Sequence, residues 1–449
     1  MKSPMNSRTA RHAVLVYGLF AVVIWCASLV LSAQEHSLVF TNINVFIGGT
    51  VQPAMTVIVR GDRIEAVGKS ATLFIPAGSQ VIACDGKFMI PGLWDMHVHL
   101  TDAKVSAIPA LVANGITGVR DMGSLLPKLD DWRLQIEHGN LVGPRILRAG
   151  PILNGQSFGP VQLAVADAAE ARGAVRALAH IGVDFIKIHA ALTRDQFFAV
   201  ADEAKRAGLP FSGHIPMGVS PAEASDAGQA SFEHTESLFV GTAYVRMPRE
   251  EMLTAMGLLF QRFAKNDTFY TPTLIMYKSS ADWRDFVAHS EDQYVARSAQ
   301  ESMRKASEAY RNAPEIVAGR KRVLQDLILL VGMMRKNGVK VMVGTDLSDG
   351  RIFPGFSVHE ELALLVEAGF TPAEAIAAAT RVPAEFLKLR DTGTIESGKR
   401  ADILILNKNP IQDIRNSTSI DSVVLRGRLF NRRELHQLLA DAKRLAAVS

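Results

Sequence analysis

Cysteine is nearly absent from this sequence: two residues in 449 exclude a fold held together by disulfides. An excess of one charge is also missing. Lys and Arg number 49 against 45 Asp and Glu, for a formal charge of +4. No basic run or basic patch interleaved with aromatics occurs, so nucleic acid is not an implied partner. Nor is the chain poor in hydrophobic residues. At 48% hydrophobic and 21% charged it has the means to bury a sizeable core, which argues against disorder. Long apolar runs are confined to one place, residues 13–31 (AVLVYGLFAVVIWCASLVL).

That run follows Lys2, Arg8 and Arg11 and precedes Ser32-Ala33. The order charged, apolar, small reads as a secretory signal peptide over residues 1–33, giving a secreted or periplasmic protein. The run is also close to the length that spans a bilayer, so an anchor retained through residues 13–31 is the alternative and the one route to a membrane. Cleavage would remove three cations and take the formal charge from +4 to +1. It would leave Cys84 as the only cysteine, with no internal disulfide possible.

Residues 34–91 are strand-like, with β-branched segments punctuated by Gly48-Gly49, Gly61-Asp62 and Asp85-Gly86. The same texture returns over 386–432. Two β-rich ends around a different middle predict a composite β-sandwich domain built from both termini, followed by an amphipathic helix over 433–449 that packs on the surface or on a partner subunit. The middle, 92–385, alternates strands with helical patterns. Its eight candidate strands are LWDMHVHL, GITGVRDMG, PRILRAGPIL, VDFIKIHA, PFSGHIP, ASFEHTE, FYTPTLIM and KVMVGTDLS. Gly115, Gly182, Gly208, Gly228 and Gly338 each close a helical segment just before a strand, where a left-handed cap is expected. The alternation predicts an α/β fold, a (β/α)8 TIM barrel; an open doubly wound sheet lacks its Gly-rich loop here. Residues 275–322, rich in charge and carrying Trp283, Phe286, Tyr294 and Tyr310, read as a helical insertion, either on the active-site face or as a peripheral hairpin.

The candidate chemistry lies at strand ends. His97 and His99 alternate on the first strand and so face one point. Lys187 lies on the fourth strand, His214 on the fifth, His234 on the sixth and Asp346 on the eighth. Such nitrogen and oxygen donors suit zinc and similar divalent ions. A lone strand histidine is more often structural, and His189 reads mostly as packing. A lysine inside Phe-Ile-Lys-Ile, however, is costly to bury without a partner. Arg148, Asn154 and Gln156 follow the third strand as candidate substrate contacts. His359 opens a helix and either caps it or touches substrate. Arg120-Asp121 reads as a brace behind the site or as a substrate contact.

These motifs, PGLWDMHVHL, FIKIHA, GHIP, FEHTES, GTDLS and the tail GTIESGKRADILILNKNPIQDI, resemble those of the amidohydrolase superfamily of metal-dependent hydrolases, in particular its imidazolonepropionase-like and dipeptidase-like members. The resemblance covers residues 37–432. It implies two divalent ions, zinc foremost: His97, His99 and Asp346 at the first, His214 and His234 at the second, with Lys187 as a bridging carbamate. It implies hydrolysis of a C–N bond, amide or peptide-like, in a small molecule through a metal-bridging hydroxide, with Asp346 moving the proton. A possible homo-oligomer is expected. The rivals are a hydrolytic deaminase or ring-opening hydrolase, and a metal-containing binding protein without activity. The sequence departs from dipeptidase-like relatives in two places. NGQSFGP after the third strand lacks their histidine, and HAALTRD after Lys187 lacks their Gly-rich turn.

Overall fold

Period-two runs of β-branched residues broken by glycine turns build the N-terminal strands. The computed structural model describes residues 37–239, 243–281, 289–311, 314–348 and 351–449. The proposed signal peptide, Trp283 and Phe286 therefore lie outside the described residues. In chain order the first strands are β1 (Leu38–Ile47), β2 (Thr50–Arg60), β3 (Arg63–Lys69), β4 (Gln80–Ala83) and β5 (Phe88–Pro91). The middle of the chain adds β6 (Leu93–Val98), β7 (Ile116–Asp121), β8 (Arg145–Arg148), β9 (Ile152–Asn154), β10 (Gln162–Ala164), β11 (Ile186–Ile188), β12 (Phe211–Gly213), β13 (Ser231–Glu233) and β14 (Phe269–Thr271). The last strands are β15 (Ile403–Leu406), β16 (Ile420–Leu425) and β17 (Arg428–Phe430).

Both ends of the chain join in one eight-stranded sheet of order β17-β16-β15-β5-β1-β2-β3, with β4 also paired to β1. The junction is antiparallel, Ile403 opposite Pro91. The sheet has its own core, including Phe40, Ile43, Val57, Met89, Ile403 and Val424. Cys84 is buried there, and burial pushes its thiol up to about 11, so it is an inert filler. The segments expected to form a composite β-sandwich thus share one hydrogen-bonded sheet with its own apolar core.

The middle strands form two parallel arcs, β6-β7-β8 and β10-β9-β11-β12-β13-β14. At one seam the amide of Asp184 donates to the carbonyl of Arg148 (2.9 Å). At the other, residues 341–347 run between β14 and β6: Met342 N donates to Tyr270 O (2.8 Å) and Met96 N to Val343 O (2.9 Å). This eighth segment differs from the expected strand. It pairs only through single bridges at Val341 and Leu347. Asp346 sits at φ +61°, outside strand geometry, and a Cβ on Gly344 would lie 2.4 Å from Thr271 Cγ2.

The third candidate strand is also broken, into β8 and β9, and the seventh is shorter than FYTPTLIM. It stops at Thr271 because Pro272 has no amide to donate and Thr273 turns left-handed (φ +49°). Leu274–Ala281 is a helix instead, and its first amides, Leu274 N and Ile275 N, donate to the buried carboxyl of Glu361 (3.0 and 2.7 Å).

The outer helices follow the expected signals. Asp167 caps Ala168–Ile181, and Thr193 with Gln196 forms a capping box for Arg194–Ala207. The five predicted glycines all have left-handed φ, +68° to +86°. After Ala281 the 275–322 region is helical where described, with Arg297–Arg311 and then Pro314–Lys336. The C-terminal helix Arg432–Ala446 buries Leu435, Leu438, Ala442 and Ala446 and packs on helix Ala107–Ala113 of its own chain.

Candidate metal centre

The ends of β6, β11, β12 and β13, with the segment at 346, bring the predicted residues together. His97 and His99 each have Nε2 3.4 Å from Asp346 Oδ1. His234 Nδ1 lies 4.0 Å from Asp346 Oδ2. The His97 and His234 rings are 4.6 Å apart, His214 and His234 4.9 Å, and His189 and His214 4.1 Å. Lys187 Nζ is 3.5 Å from His97 Nε2. His97, His234 and Asp346 place one ligand atom each within 4.8 Å of one another.

Two of these residues are held in the left-handed region without being glycine, His234 at φ +63° and Asp346 at φ +61°. Each such conformation costs about 1–3 kcal/mol and persists only where the surroundings impose it. Here His234 N donates to Thr271 O (3.0 Å) and Asp346 N to His97 O (2.8 Å), so strand-like hydrogen bonds lock both.

The site's electrostatics suit ligation. Burial lowers His97 and His214 well below the usual histidine range, leaving neutral imidazoles with lone pairs to give. Burial works to raise Asp346, but His234, His97 and His99 outweigh it and hold the carboxyl well below its ordinary range. Lys187 is almost fully buried, and burial brings its amine down to about 8. Among the described residues no carboxylate lies within ion-pair distance of it. His214 Nδ1 and His189 Nδ1 are buried with no hydrogen-bond partner. Orphaned nitrogens, a buried amine and an ionised carboxylate around one point fit divalent ions.

One element was missed in the sequence. Glu233, fully buried, takes Arg120 Nη2 on both oxygens (2.8 Å each), Ser231 Oγ on Oε1 (2.5 Å) and His97 Nδ1 on Oε2 (3.0 Å). Arg120 also donates to Met96 O (2.7 Å). The carboxylate fixes the proton of His97 on Nδ1 and turns Nε2 toward Lys187 and Asp346. Arg120 therefore braces the site through Glu233 and not with its neighbour Asp121. Asp121 serves the adjoining loop, accepting from Leu100 N and Ser124 Oγ. Asp95 is a further buried acid, bonded to Thr345 Oγ1 (2.6 Å), and burial pushes it up to about 7. The signal for Glu233 was its place beside His234 on a strand whose alternate residues face inward.

Two predicted substrate contacts are placed elsewhere. Arg148 turns outward between two helices, with Nε 2.6 Å from Asp130 and Nη1 donating to Gly182 O (3.1 Å). His359 is buried away from the cluster. Its Nε2 donates to Asn114 O (3.0 Å) and its Nδ1 accepts from Ser417 Oγ (2.9 Å), so it ties the helix Phe356–Glu367 to Asn114 and to the 414–418 turn. Gln156 is exposed in the loop after β9, and Asn154 is buried, accepting from Gly155 N and Ala191 N.

A parallel α/β scaffold carrying clustered imidazoles, a carboxylate and a buried lysine at its strand ends defines a metal-centred hydrolase site. The amidohydrolase family profile matches residues 88–430, and the chain belongs to that family, whose members hydrolyse C–N bonds. Among curated relatives, an imidazolonepropionase from Deinococcus deserti is 45% identical over 78 residues, 17% of this chain and 19% of the relative. A dihydroorotase from Trichlorobacter lovleyi is 34% identical over 88 residues, 18% of this chain and 20% of the relative. The matched segments thus span about a fifth of each. A solved structure from Bifidobacterium longum, provisionally assigned as a prolidase, covers 91% of this chain and 99% of its own at 26% identity and a TM-score of 0.68. A bottromycin amidohydrolase structure has a TM-score of 0.75 over 91% of this chain and 90% of its own; at 22% identity it bears on fold alone.

Proposed function

We propose that this chain hydrolyses an amide or peptide-like C–N bond of a small molecule at a site holding two divalent ions, zinc by the chemistry of its donors. The observation that carries this reading is Lys187. An amine buried among imidazoles is costly to keep as an ammonium when no carboxylate lies within ion-pair distance, and burial outweighs the pull of Glu233 and Asp346 on it. With burial lowering it to about 8, a share is free base near neutrality and open to carbon dioxide. The amine nitrogen bonds to the carbon of CO2 and loses a proton, giving a carbamate that supplies two oxygen ligands. His97, His99 and Asp346 would hold one ion, His214 and His234 the other, and Lys187 would bridge them. Bound ions would acidify a coordinated water and polarise the scissile carbonyl.

The chain's own residues do the rest. Glu233 and Arg120 orient His97. Asp346, low in pKa and 3.4 Å from both His97 and His99, is placed to accept the nucleophile's proton and deliver it to the leaving nitrogen. Gln156, on the exposed loop after β9, remains a candidate contact with substrate.

The same reading takes the two arcs, joined at both seams, as a closed (β/α)8 barrel spanning about 92–385. It takes the chain as exported after cleavage near Ala33. The names of the curated relatives favour a second reading, ring opening of a cyclic amide. Hydrolysis assays with dipeptides, N-acyl amino acids, lactams and cyclic ureas separate the two. Metal analysis by plasma emission tests the shared premise. Lys187→Ala should fall from about two ions per chain toward one or none and lose turnover. Unchanged metal content overturns the binuclear site.

A further inference from the structure

A large cavity lies away from the metal centre. It has a volume of about 800 Å3 and sits where the two-ended sheet meets the outer wall of the barrel. Arg145, at the start of β8, lines it together with Arg400, Asp402 and Arg426 from the sheet domain. The metal residues stand at the opposite, C-terminal ends of the strands.

Its charge is unbalanced. Asp402 is the acid at the centre: its carboxyl accepts Arg426 N (2.8 Å), and Arg400 Nε approaches it only to 3.7 Å. Arg145 and Arg426 have no carboxylate within ion-pair distance among the described residues. Arg400 Nε is buried without a hydrogen bond. The other acids of the wall are engaged or peripheral. Asp130 is taken by Arg133 and Arg148 (3.1 and 2.6 Å), and Asp184 accepts the Arg148 amide (2.8 Å). Five arginines and four acids, Glu137 among them, line the cavity, and Arg400 Nη2 also lies 3.5 Å from Asp62, so one positive charge is in excess and Arg145 and Arg426 are the guanidiniums left without a carboxylate.

Arg426 also occupies a left-handed turn position (φ +50°) where Asn or Gly would be unstrained. The helix Leu126–Glu137 adds apolar surface through Ile136 and the half-exposed Leu134 (52%). The volume falls within the range of small-molecule sites.

The geometry points to a second small-molecule site at this seam, one that binds an organic phosphate: a dianion for Arg145, Arg400 and Arg426, and an apolar body for the Leu134 wall. Guanidinium forks match the oxygens of a phosphoryl group in pairs, and a dianion offers one charge to each of the two unpaired guanidiniums, Arg145 and Arg426. The site joins the two parts of the fold, so its occupant bridges barrel and sheet. Nothing in this inference depends on the reaction proposed above.

The test is titration calorimetry on the full, metal-loaded chain with phenyl phosphate, inorganic phosphate and benzoate. Phenyl phosphate should bind saturably, and benzoate, with the same ring and one charge, at least about tenfold more weakly. The double variant Arg145→Gln/Arg426→Gln should weaken phenyl phosphate at least about tenfold with its metal content unchanged. If the double variant does not fold, Arg426→Gln alone, an exposed turn position, should still weaken binding severalfold. Absence of saturable binding overturns the proposal. So does binding that persists unchanged in the variants, since that phosphate then sits at the metal centre. Equal affinity for benzoate also refutes the dianion site.

Discussion

Replacing Glu233 by glutamine tests whether the Arg120–Glu233–His97 chain organises the metal centre. Gln keeps the shape but removes the charge, leaving the fully buried guanidinium of Arg120 without its counter-ion and setting an NH2 group against a donor. Breaking a buried pair from one side costs about 3–5 kcal/mol. Because Gln retains one oxygen and Met96 O still accepts from Arg120, the lower end applies, about 3 kcal/mol. For a chain of this size, at roughly 2 °C per kcal/mol, the melting temperature should fall by about 6 °C. Metal affinity should fall as well, by about 10–100-fold, since the proton on His97 Nδ1 loses the acceptor that fixes the tautomer. The two effects separate in a second variant. Glu233→Gln/Arg120→Met removes both charges, so it should regain most of the stability but none of the metal affinity. Thermal melts and a zinc competition titration with a chromogenic chelator read the two quantities. Native zinc affinity in Glu233→Gln would refute the orienting role, and an unrecovered melting temperature in the double variant would refute the charge argument.

Three further outcomes are expected. Asp346→Asn, saturated with zinc, should keep much of its substrate affinity but lose at least about a hundredfold in kcat, because the carboxamide cannot take a proton; near-native kcat would exclude Asp346 as the carrier. His359, held neutral by burial and brought down to about 4, favours the folded state fully above the unfolded value near 6.5, and that contribution is lost as pH falls toward 4. Urea unfolding should therefore show roughly 2 kcal/mol less stability near pH 5 than near pH 7.5 from this residue, and His359→Gln should flatten that difference. Intact-mass analysis of protein from its native envelope should give a chain beginning near Gln34, whereas a full-length chain in the membrane fraction would favour the anchor.

The clustering of the candidate ligands was legible because a strand's alternation is local information. His97 and His99 need only two residues of spacing to share a face, and Lys187 stands out because it interrupts the apolar run Phe185–Ile188. The helix ends were legible for the same reason, since Gly182 and Gly208 carry their cap geometry within a single residue. What stayed hidden depends on tertiary pairing. Arg120 has an acid beside it in sequence, Asp121, yet its partner is Glu233, 113 positions away across the parallel arcs. Arg148 shows the converse failure. In parallel strands buried on both faces, hydropathy does not mark which residue points inward. The end of the third strand looked like the mouth of the site, while its guanidinium turned out toward Asp130.

The strands themselves were overestimated in length, and the reason is tied to function. β11, β12, β13 and β14 each hold three residues of regular strand, and the eighth segment holds none. Regular geometry stops where His214, His234 and Asp346 begin. A strand continued in register would point successive side chains to opposite faces, so it could offer the centre only alternate residues. A turn to left-handed φ at His234 and Asp346 re-aims those side chains toward the point that His97 and His99 already face. The conformational cost is met by the hydrogen bonds that the His234 and Asp346 amides donate to the carbonyls of Thr271 and His97 on the neighbouring strands. Propensity reasoning therefore fails at the strand ends for a physical cause: there the backbone follows the demands of the proposed ligand sphere, and the sequence records this only as polar residues interrupting an apolar run.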